Sequence, residues 1–245
     1  MKRSIFIFVA SMIATTVLAQ KGPTIDPSGT FINSDGTEAL IQSGESYSGS
    51  APLTVTFEAN PANDEGWDSF YEWRFYLEGK ESEPYLIRYE QDTEYTFTLS
   101  GSHRIVCYAT FTKGSQVIEY TNEYWATEAQ PLSISISESK LEMPNAFSPN
   151  GDKINDVYKA KKGYQSLVEF KATIFNRWGV KLYEWTDPAG GWDGKYKGKD
   201  VAQGVYFVVV KARGADGRRF SIKRDVNLLR GYTETTSSNG GTQEQ

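Results

Sequence analysis

Apolar and polar residues alternate with a period of two along most of the first half of the chain. The alternation is clear at 53–59, 71–77 and 132–136, where residues such as Val55 and Phe57 fall on one face. A period of two predicts β-strands with one buried face, and turn residues separate the runs at short intervals. No run shows a sustained helical period, and the run that ends in NEYW continues the strand pattern. Short strands at this spacing predict a β-sandwich.

The second half repeats this pattern with more glycine. One alternating run predicts a shared buried face for Val168, Phe170, Ala172 and Ile174. The VYFVVV run at 205–210 is apolar at every position, which predicts a central strand covered on both faces. A turn is predicted at 176–179, with Trp178 at the edge of the core, and Trp192 is expected to pin a glycine-rich loop.

The first twenty residues have the pattern of a secretory signal peptide. Lys2 and Arg3 precede an apolar stretch, and small residues at 17–19 predict cleavage just before Gln20. The apolar run is short for a membrane span, so we expect an exported chain with no transmembrane segment in its mature form. Cys107 is the single cysteine, so no disulfide can form within the chain. Folding must therefore rely on buried cores.

Charge divides the remaining chain into two parts. Residues 21–150 contain 7 Lys and Arg against 20 Asp and Glu, whereas residues 151–230 contain 17 against 9. This asymmetry predicts two modules with different surfaces. A basic half can indicate nucleic-acid binding. Because the lysines are interspersed with acids and the chain is predicted to be exported, we expect no nucleic-acid partner.

The residues for catalysis are sparse. His103 is the single histidine and is expected at the surface, whereas Cys107 alternates with apolar neighbours and is expected to be buried. These two positions lie about 13 Å apart along an extended strand, which is too far for a nucleophile pair. Acidic residues such as Asp64 and Glu65 cluster in one loop rather than facing each other across a cleft. We therefore expect a protein that is not an enzyme and needs no cofactor.

The segment SPNGDKINDVY at 148–158 is the sharpest candidate for a metal site. Its hard oxygen donors, which suit Ca²⁺, are Asn150, Asp152, Asn155 and Asp156. Lys153 stands where related calcium loops carry glycine, and no acid is in register for a final bidentate ligand. The same segment suits a turn, because Pro149 fixes φ, Gly151 tolerates positive φ and the Asn and Asp side chains can cap amides. We favour the capped turn and expect no metal, with calcium as the alternative.

Three blocks follow one another in the second half: PNAFSPNGDKINDVY, FKATIFNRWGVKLYEW and GWDGKYKGKDVAQGVYFVVVKA. Together they resemble the gliding-motility-associated C-terminal domain, the type B sorting domain of the type IX secretion system. The resemblance covers about 141–230 and implies an immunoglobulin-like sandwich that the type IX machinery recognises at the outer membrane. It also implies secretion and cell-surface attachment. The sorting-motif residues it implies are Pro144, Asn145, Phe147, Ser148, Pro149, Asn150, Gly151, Asp152, Asn155, Asp156, Asn176, Arg177, Trp178, Gly179, Trp192, Asp193, Gly194, Gly204 and Tyr206.

The first half resembles a second family. GSAPLTVTFEANPA at 49–62 and YEWRF at 71–75 resemble the opening and the tryptophan strand of polycystic-kidney-disease-type (PKD) domains, which are immunoglobulin-like sandwiches. TEYTFTLSGSHRIVCYATF at 93–111 resembles their late hairpin. The resemblance covers about 45–115.

We therefore predict an all-β protein with two immunoglobulin-like β-sandwich domains in tandem after a signal peptide. The predicted bounds are 1–19 for the signal peptide, 22–139 for the PKD-like domain, 140–231 for the sorting domain and 232–245 for a disordered tail. A polar linker joins the two domains, so few contacts should cross between them. The N-terminal domain is then a passenger for protein or surface contacts. The alternative is a carbohydrate-binding adhesin with a purely structural C-terminal domain, because Tyr and Trp are dense in the first half.

Overall fold

The structure, a computed structural model, describes residues 22–33 and 35–230. The predicted signal peptide and the predicted disordered tail lie outside the described residues. Within the described ranges, no helix has the length and apolar character needed to cross a membrane.

Strands account for nearly all the regular structure, which confirms the predicted all-β class. The elements in chain order are β1 (Ser28–Ile32), β2 (Glu38–Gln42), β3 (Ser46–Gly49), β4 (Leu53–Glu58), β5 (Asp68–Leu77), β6 (Leu86–Arg88), β7 (Asp92–Phe97), β8 (Gly101–Lys113), β9 (Gln116–Tyr120), α1 (Asn122–Thr127), β10 (Leu132–Ile136), β11 (Ala146–Phe147), β12 (Leu167–Phe175), β13 (Lys181–Trp185), β14 (Lys195–Tyr196), β15 (Lys199–Asp200), β16 (Gly204–Gly214) and β17 (Arg219–Leu228).

The N-terminal module packs two sheets face to face. One sheet has the order β2-β1-β4-β7, and the other has the order β3-β10-β8-β5-β6 with β9 paired to β8. Alternation places Phe57 of the first sheet against Trp73 and Phe75 of the second, with ring centroids 5.5 and 5.4 Å apart. These three side chains are fully buried. The tryptophan strand predicted from YEWRF is therefore the centre of this core.

Three predictions for the N-terminal module were wrong in detail. The NEYW segment forms the short helix α1, because Trp125 turns inward and its indole Nε1 donates to the Cys107 carbonyl at 2.8 Å. The β7 and β8 strands do not form a hairpin, since β7 pairs with β4 and β8 lies in the opposite sheet. His103 is buried, with 1% of its surface exposed, because its position on β8 faces the core.

The C-terminal module is built on one sheet of order β11-β17-β16-β12-β13. Its second layer consists mainly of irregular chain from the 141–165 and 186–203 segments. It also contains the short hairpin formed by β14 and β15, each of which has two residues. Tyr158 and Trp192 join the two halves of this layer by a pair of backbone hydrogen bonds of 2.8 and 3.0 Å. A separate core lies between the sheet and this layer.

The predicted faces of two strands needed correction. A β-bulge between Leu167 and Glu169 removes Val168 from the alternation, so that Phe170, Ala172 and Ile174 are buried and Val168 is only half-buried. The VYFVVV strand is central in its sheet, as predicted, but only one of its faces is covered. Val205 and Phe207 remain 50% and 45% exposed on the open face. A run of apolar residues does not by itself show that both faces of a strand are buried.

Contacts cross between the two modules, contrary to the expectation of a bare linker. The Ser100 amide donates to the Ala215 carbonyl at 3.1 Å, and Ala215 is buried among the N-terminal core residues. Asp216 accepts hydrogen bonds from the Ser139 hydroxyl at 2.7 Å and from its amide at 3.1 Å. The strand ends at Ser100 and Ala215 therefore form a joint between the modules. The residue bounds of the two domains stay predictions.

Candidate functional site

The predicted sorting segment at 148–156 is a turn held by its own side chains. The Asp156 carboxylate accepts from the amides of Asn150, Gly151 and Lys153 at 2.9, 2.7 and 2.8 Å. These amides, the Gly151 amide foremost, hold the pKa of Asp156 below its usual range. Asp152 accepts from the Ile154 amide at 2.8 Å. Positive φ angles at Gly151, Lys153 and Asn155 let the chain wrap around the Asp156 carboxylate.

The calcium alternative requires oxygen atoms that converge on a vacant centre. Here both Asp156 oxygens accept hydrogen bonds from backbone amides. The backbone carbonyl of Asn155 accepts from the Ser148 amide at 2.9 Å. Asn150 and Asp152 bond to each other through their side chains at 2.8 Å. The described residues contain no cluster of three or more His, Cys, Asp or Glu that could hold a metal ion. This geometry matches a capped turn, while the absence of calcium stays a prediction.

Three of the sorting-motif residues meet in the core of the C-terminal module. The Trp192 ring lies 5.3 Å from that of Phe147 and 5.1 Å from that of Tyr206. The Trp192 indole Nε1 donates to the Lys195 carbonyl at 2.8 Å, which fixes the loop predicted to be pinned by it. A Cβ at Gly191 would lie 2.5 Å from the Tyr158 carbonyl, so this approach of chain to chain requires glycine. Trp192 thus joins the sorting segment to the glycine-rich loop.

Other motif residues support this arrangement through their backbone atoms. The Pro144 carbonyl accepts from the Tyr158 hydroxyl at 3.0 Å, and the Asn145 carbonyl accepts from the Asn227 amide at 2.9 Å. Ser148 is buried beside this segment. Pro149, Asp193 and Gly194 lie in loops: Asp193 accepts from the Lys195 amide, Gly194 has a positive φ angle, and Pro149 Cγ would be 3.2 Å from a Cβ at Gly194. Gly204 is the first residue of β16 and also has a positive φ angle.

The NRWG turn differs from the rest of the motif. Asn176 accepts from the amides of Trp178 and Val180 at 3.0 Å each, and Gly179 has a φ of 78°. The turn was predicted correctly, but Trp178 does not cap the core. Its side chain is 75% exposed and lies under the Arg177 guanidinium, 4.7 Å from the ring centroid. The alternation that identifies a core residue in a strand gives no direction to a side chain in a turn.

The histidine and the cysteine of the N-terminal module both lie inside its core. The His103 ring accepts from the Tyr85 hydroxyl through Nδ1 and donates to the Leu99 carbonyl through Nε2, both at 2.9 Å. Burial lowers the pKa of His103 below its ordinary value. The Cys107 thiol is fully buried, as predicted, and burial raises its pKa well above the usual range.

Comparison with known proteins assigns the C-terminal module. Residues 141–223 match the CHU_C type IX secretion signal domain. No curated protein gives a match to the chain.

Three of the solved structures that resemble this chain are remote matches. They include dimeric latent PorU from Porphyromonas gingivalis, with a TM-score of 0.25, 10% identity and coverage of 86% of this chain and 20% of that chain. The FN1–FN3 domains of chicken CNTN1 have a TM-score of 0.29 and 9% identity, covering 80% of this chain and 72% of that chain. SGBP-B of the Bacteroides ovatus mixed-linkage glucan utilization locus, solved with a mixed-linkage heptasaccharide, has a TM-score of 0.25 and 11% identity, covering 85% and 48%.

The chain spans about a fifth of the PorU chain, and at these TM-scores none of the three structures carries an argument about function. The family match is the finding that bears on function, and its residues include the capped turn, the NRWG turn and the loop held by Trp192. It implies export to the cell surface or the medium. The match of residues 141–223 to the CHU_C type IX secretion signal domain thus supports sorting of the chain for secretion.

Proposed function

We propose that this chain is a non-enzymatic exported protein whose C-terminal module delivers it through the type IX system to the cell surface. The type IX machinery at the outer membrane is the partner of this module, and the N-terminal module is the passenger that makes protein contacts after delivery. The match of residues 141–223 to a type IX secretion signal domain carries this proposal.

The interior of the passenger supports a role in contact rather than in catalysis. Its single histidine has both ring nitrogens engaged, and its thiol is buried beneath a sheet. The exposed Phe70 and Tyr89 rings are tilted by 38° at 5.9 Å, so they do not present one flat platform for a sugar. The glycan alternative gains no support from this geometry.

Delivery is tested in the source organism by expressing the full chain and a chain that lacks residues 141–245. We expect protease added to intact cells to digest the full chain and to leave the truncated chain protected in the periplasm. Sequencing the amino terminus of the periplasmic form checks the predicted cleavage before Gln20. A third chain that lacks only residues 231–245 separates the signal domain from the residues after it.

The truncated chain lacks the joint at Ala215, so a failure of delivery must be distinguished from unfolding of the N-terminal module. A fusion to a different protein is the matched control. Residues 140–245 placed after an unrelated signal-peptide-bearing β-sandwich should bring that protein to the surface, and the same fusion with a scrambled 144–156 segment should not. Equal surface delivery of the full and truncated chains would overturn the sorting role for this protein.

A further inference from the structure

An exposed acidic and aromatic patch lies at one end of the N-terminal module. It consists of Asp68, Phe70, Tyr89, Val117 and Glu119, and we call it the acidic patch. The β-ladders place Phe70 opposite Thr110 and Thr110 opposite Glu119, so their side chains share the outer face of the sheet. Phe70, Tyr89 and Val117 are 53%, 61% and 56% exposed. Large apolar side chains grouped in this way mark contact sites.

The charges of the acidic patch are not neutralised within the chain as the structure describes it. Asp68 and Glu119 form no ion pair with any described residue. The nearby Arg74 is already paired with Glu72 at 2.5 Å. An aromatic centre bordered by unpaired carboxylates fits a partner with apolar side chains and cations.

The C-terminal module carries a surface of the opposite kind. It consists of Val205, Phe207, Lys211 and Lys223 on the open face of the sheet, and we call it the basic patch. Val205 and Phe207 are half-exposed, and the exposed Trp178 lines the same groove. Lys211 and Lys223 form no ion pair among residues 22–33 and 35–230.

The acids that share this outer face leave the basic patch positive. Glu169 pairs with Arg213 at 2.6 Å and Glu184 pairs with Lys171 at 3.0 Å. Asp225 lies opposite Phe207 and is the remaining acid on this part of the ladder. The two patches are therefore complementary in both charge and apolar character.

The apolar side chains of both patches lie far along their strands from the joint between the modules. The modules meet where Ser100, just before β8, bonds to Ala215, just after β16. Thr110, beside Phe70, is nine residues along β8 from Gly101, which is about 30 Å at ~3.3 Å per residue. Val205 is nine residues from Gly214 along β16, again about 30 Å from the joint. The apolar side chains Phe70 and Val205 are thus far from the joint and exposed in the single chain, whereas Lys211 of the basic patch lies three residues from Gly214.

We propose that the occupant of each patch is a second copy of this chain, so that the basic patch of one molecule binds the acidic patch of the next. Such a contact is heterologous, because two different surfaces meet. An open assembly therefore has a free acidic patch at one end and a free basic patch at the other, and it grows until it closes into a ring or no free molecules remain. The charge complementarity of the two patches and the exposure of their apolar side chains in the single chain carry this proposal. It concerns the protein after export and goes beyond the sorting role.

Two single variants of the chain from Gln20 to Gln245 test the proposal. Phe70→Ser disables the acidic patch and Phe207→Ser disables the basic patch. Sedimentation velocity at increasing concentration should show growing oligomers of the unaltered chain, and each variant alone should associate at least about tenfold more weakly. Ile32→Ser and Ile154→Ser, which remove exposed isoleucines outside both patches, should associate like the unaltered chain.

Mixing the two variants gives the sharpest result. Phe70→Ser retains a basic patch and Phe207→Ser retains an acidic patch, so a 1:1 mixture should form dimers and stop there. Raising the salt to about 1 M should weaken all of these contacts, because it screens the charges. Melting temperatures equal to that of the unaltered chain confirm that the variants are folded.

Each of the other outcomes overturns the proposal. A chain that stays monomeric at every concentration would leave the patches to a different partner, such as the export machinery or residues 231–245. Oligomers that persist in both variants would place the contact elsewhere. A mixture that forms no dimer, or a single variant that still forms dimers by itself, would exclude head-to-tail pairing.

Discussion

The two modules build their cores in different ways. In the N-terminal module, two hydrogen-bonded sheets face each other and a cluster of aromatic rings fills the space between them. In the C-terminal module, one sheet faces a layer of irregular chain, and Trp192 and Tyr158 fix that layer. The backbone N–H and C=O groups of a sheet form hydrogen bonds between neighbouring strands. In an irregular layer, each buried amide must find another hydrogen-bond partner.

The C-terminal module solves that problem with turn chemistry. Asp156 serves three amides and Asn176 serves two. Close contact at Gly191 allows two irregular segments to form the bridge between Tyr158 and Trp192. The motif residues of the signal domain are therefore largely residues that hold a loop layer, while Trp178 is a large exposed ring with no such structural role.

The largest difference is expected between the two tryptophans of the signal domain. Trp192→Ala removes a fully buried ring and its hydrogen bond, and should lower the free energy of unfolding by about 3–5 kcal/mol. Trp178→Ala removes a ring that is 75% exposed, and should change it by no more than about 0.5 kcal/mol. Urea unfolding followed by circular dichroism measures both variants. Equal losses would show that Trp178 is part of the core.

A smaller difference is expected in the response of the modules to acid. His103 belongs to the N-terminal module, and burial lowers its pKa in the folded state below the ordinary value of about 6.5. Its contribution to stability is therefore present above about pH 6.5 and is lost as the pH falls towards the folded-state pKa, because the unfolded chain then binds the proton more readily.

Thermal melts of the full chain between pH 7.5 and 5.0 measure this loss as a fall in melting temperature. Hydrogen exchange should locate it in β8 rather than in β16. The variant His103→Gln retains a side-chain amide near Tyr85 and Leu99 and should lose most of the pH dependence. An unchanged dependence in that variant would assign the acid response to other groups.

Calcium is expected to have no effect on the melting temperature, which makes this the smallest of the expected effects. The Asp156 oxygens are engaged with amides, so chelator and millimolar calcium should leave the melting temperature of the full chain unchanged. Ligand present at 100 times its dissociation constant would add about 2.7 kcal/mol, which a melt detects easily. Asp156→Ala should lower the melting temperature with or without calcium. A calcium-dependent rise that Asp152→Ala abolishes would instead establish a metal site.

The sequence by itself determined the all-β class, the location of most strands and the motif blocks of the signal domain. Period-two alternation is a local property of the chain, so it identified β5 around Trp73 and β12 around Phe170 without any knowledge of their neighbours. The Asn, Asp and Gly residues of the turns act over a few positions, and the turns at 148–156 and 176–179 were predicted for that reason.

Only the tertiary structure decided which side chains of these strands and turns are buried and which are exposed. Coverage of a strand depends on what packs above it, and nothing in VYFVVV shows that one side of that strand is open. His103 is buried because β8 directs it at Tyr85 and Leu99, and Trp178 is exposed because its turn directs it away from the core. The joint at Ser100 and Ala215 depends on residues more than a hundred positions apart, which no local pattern specifies.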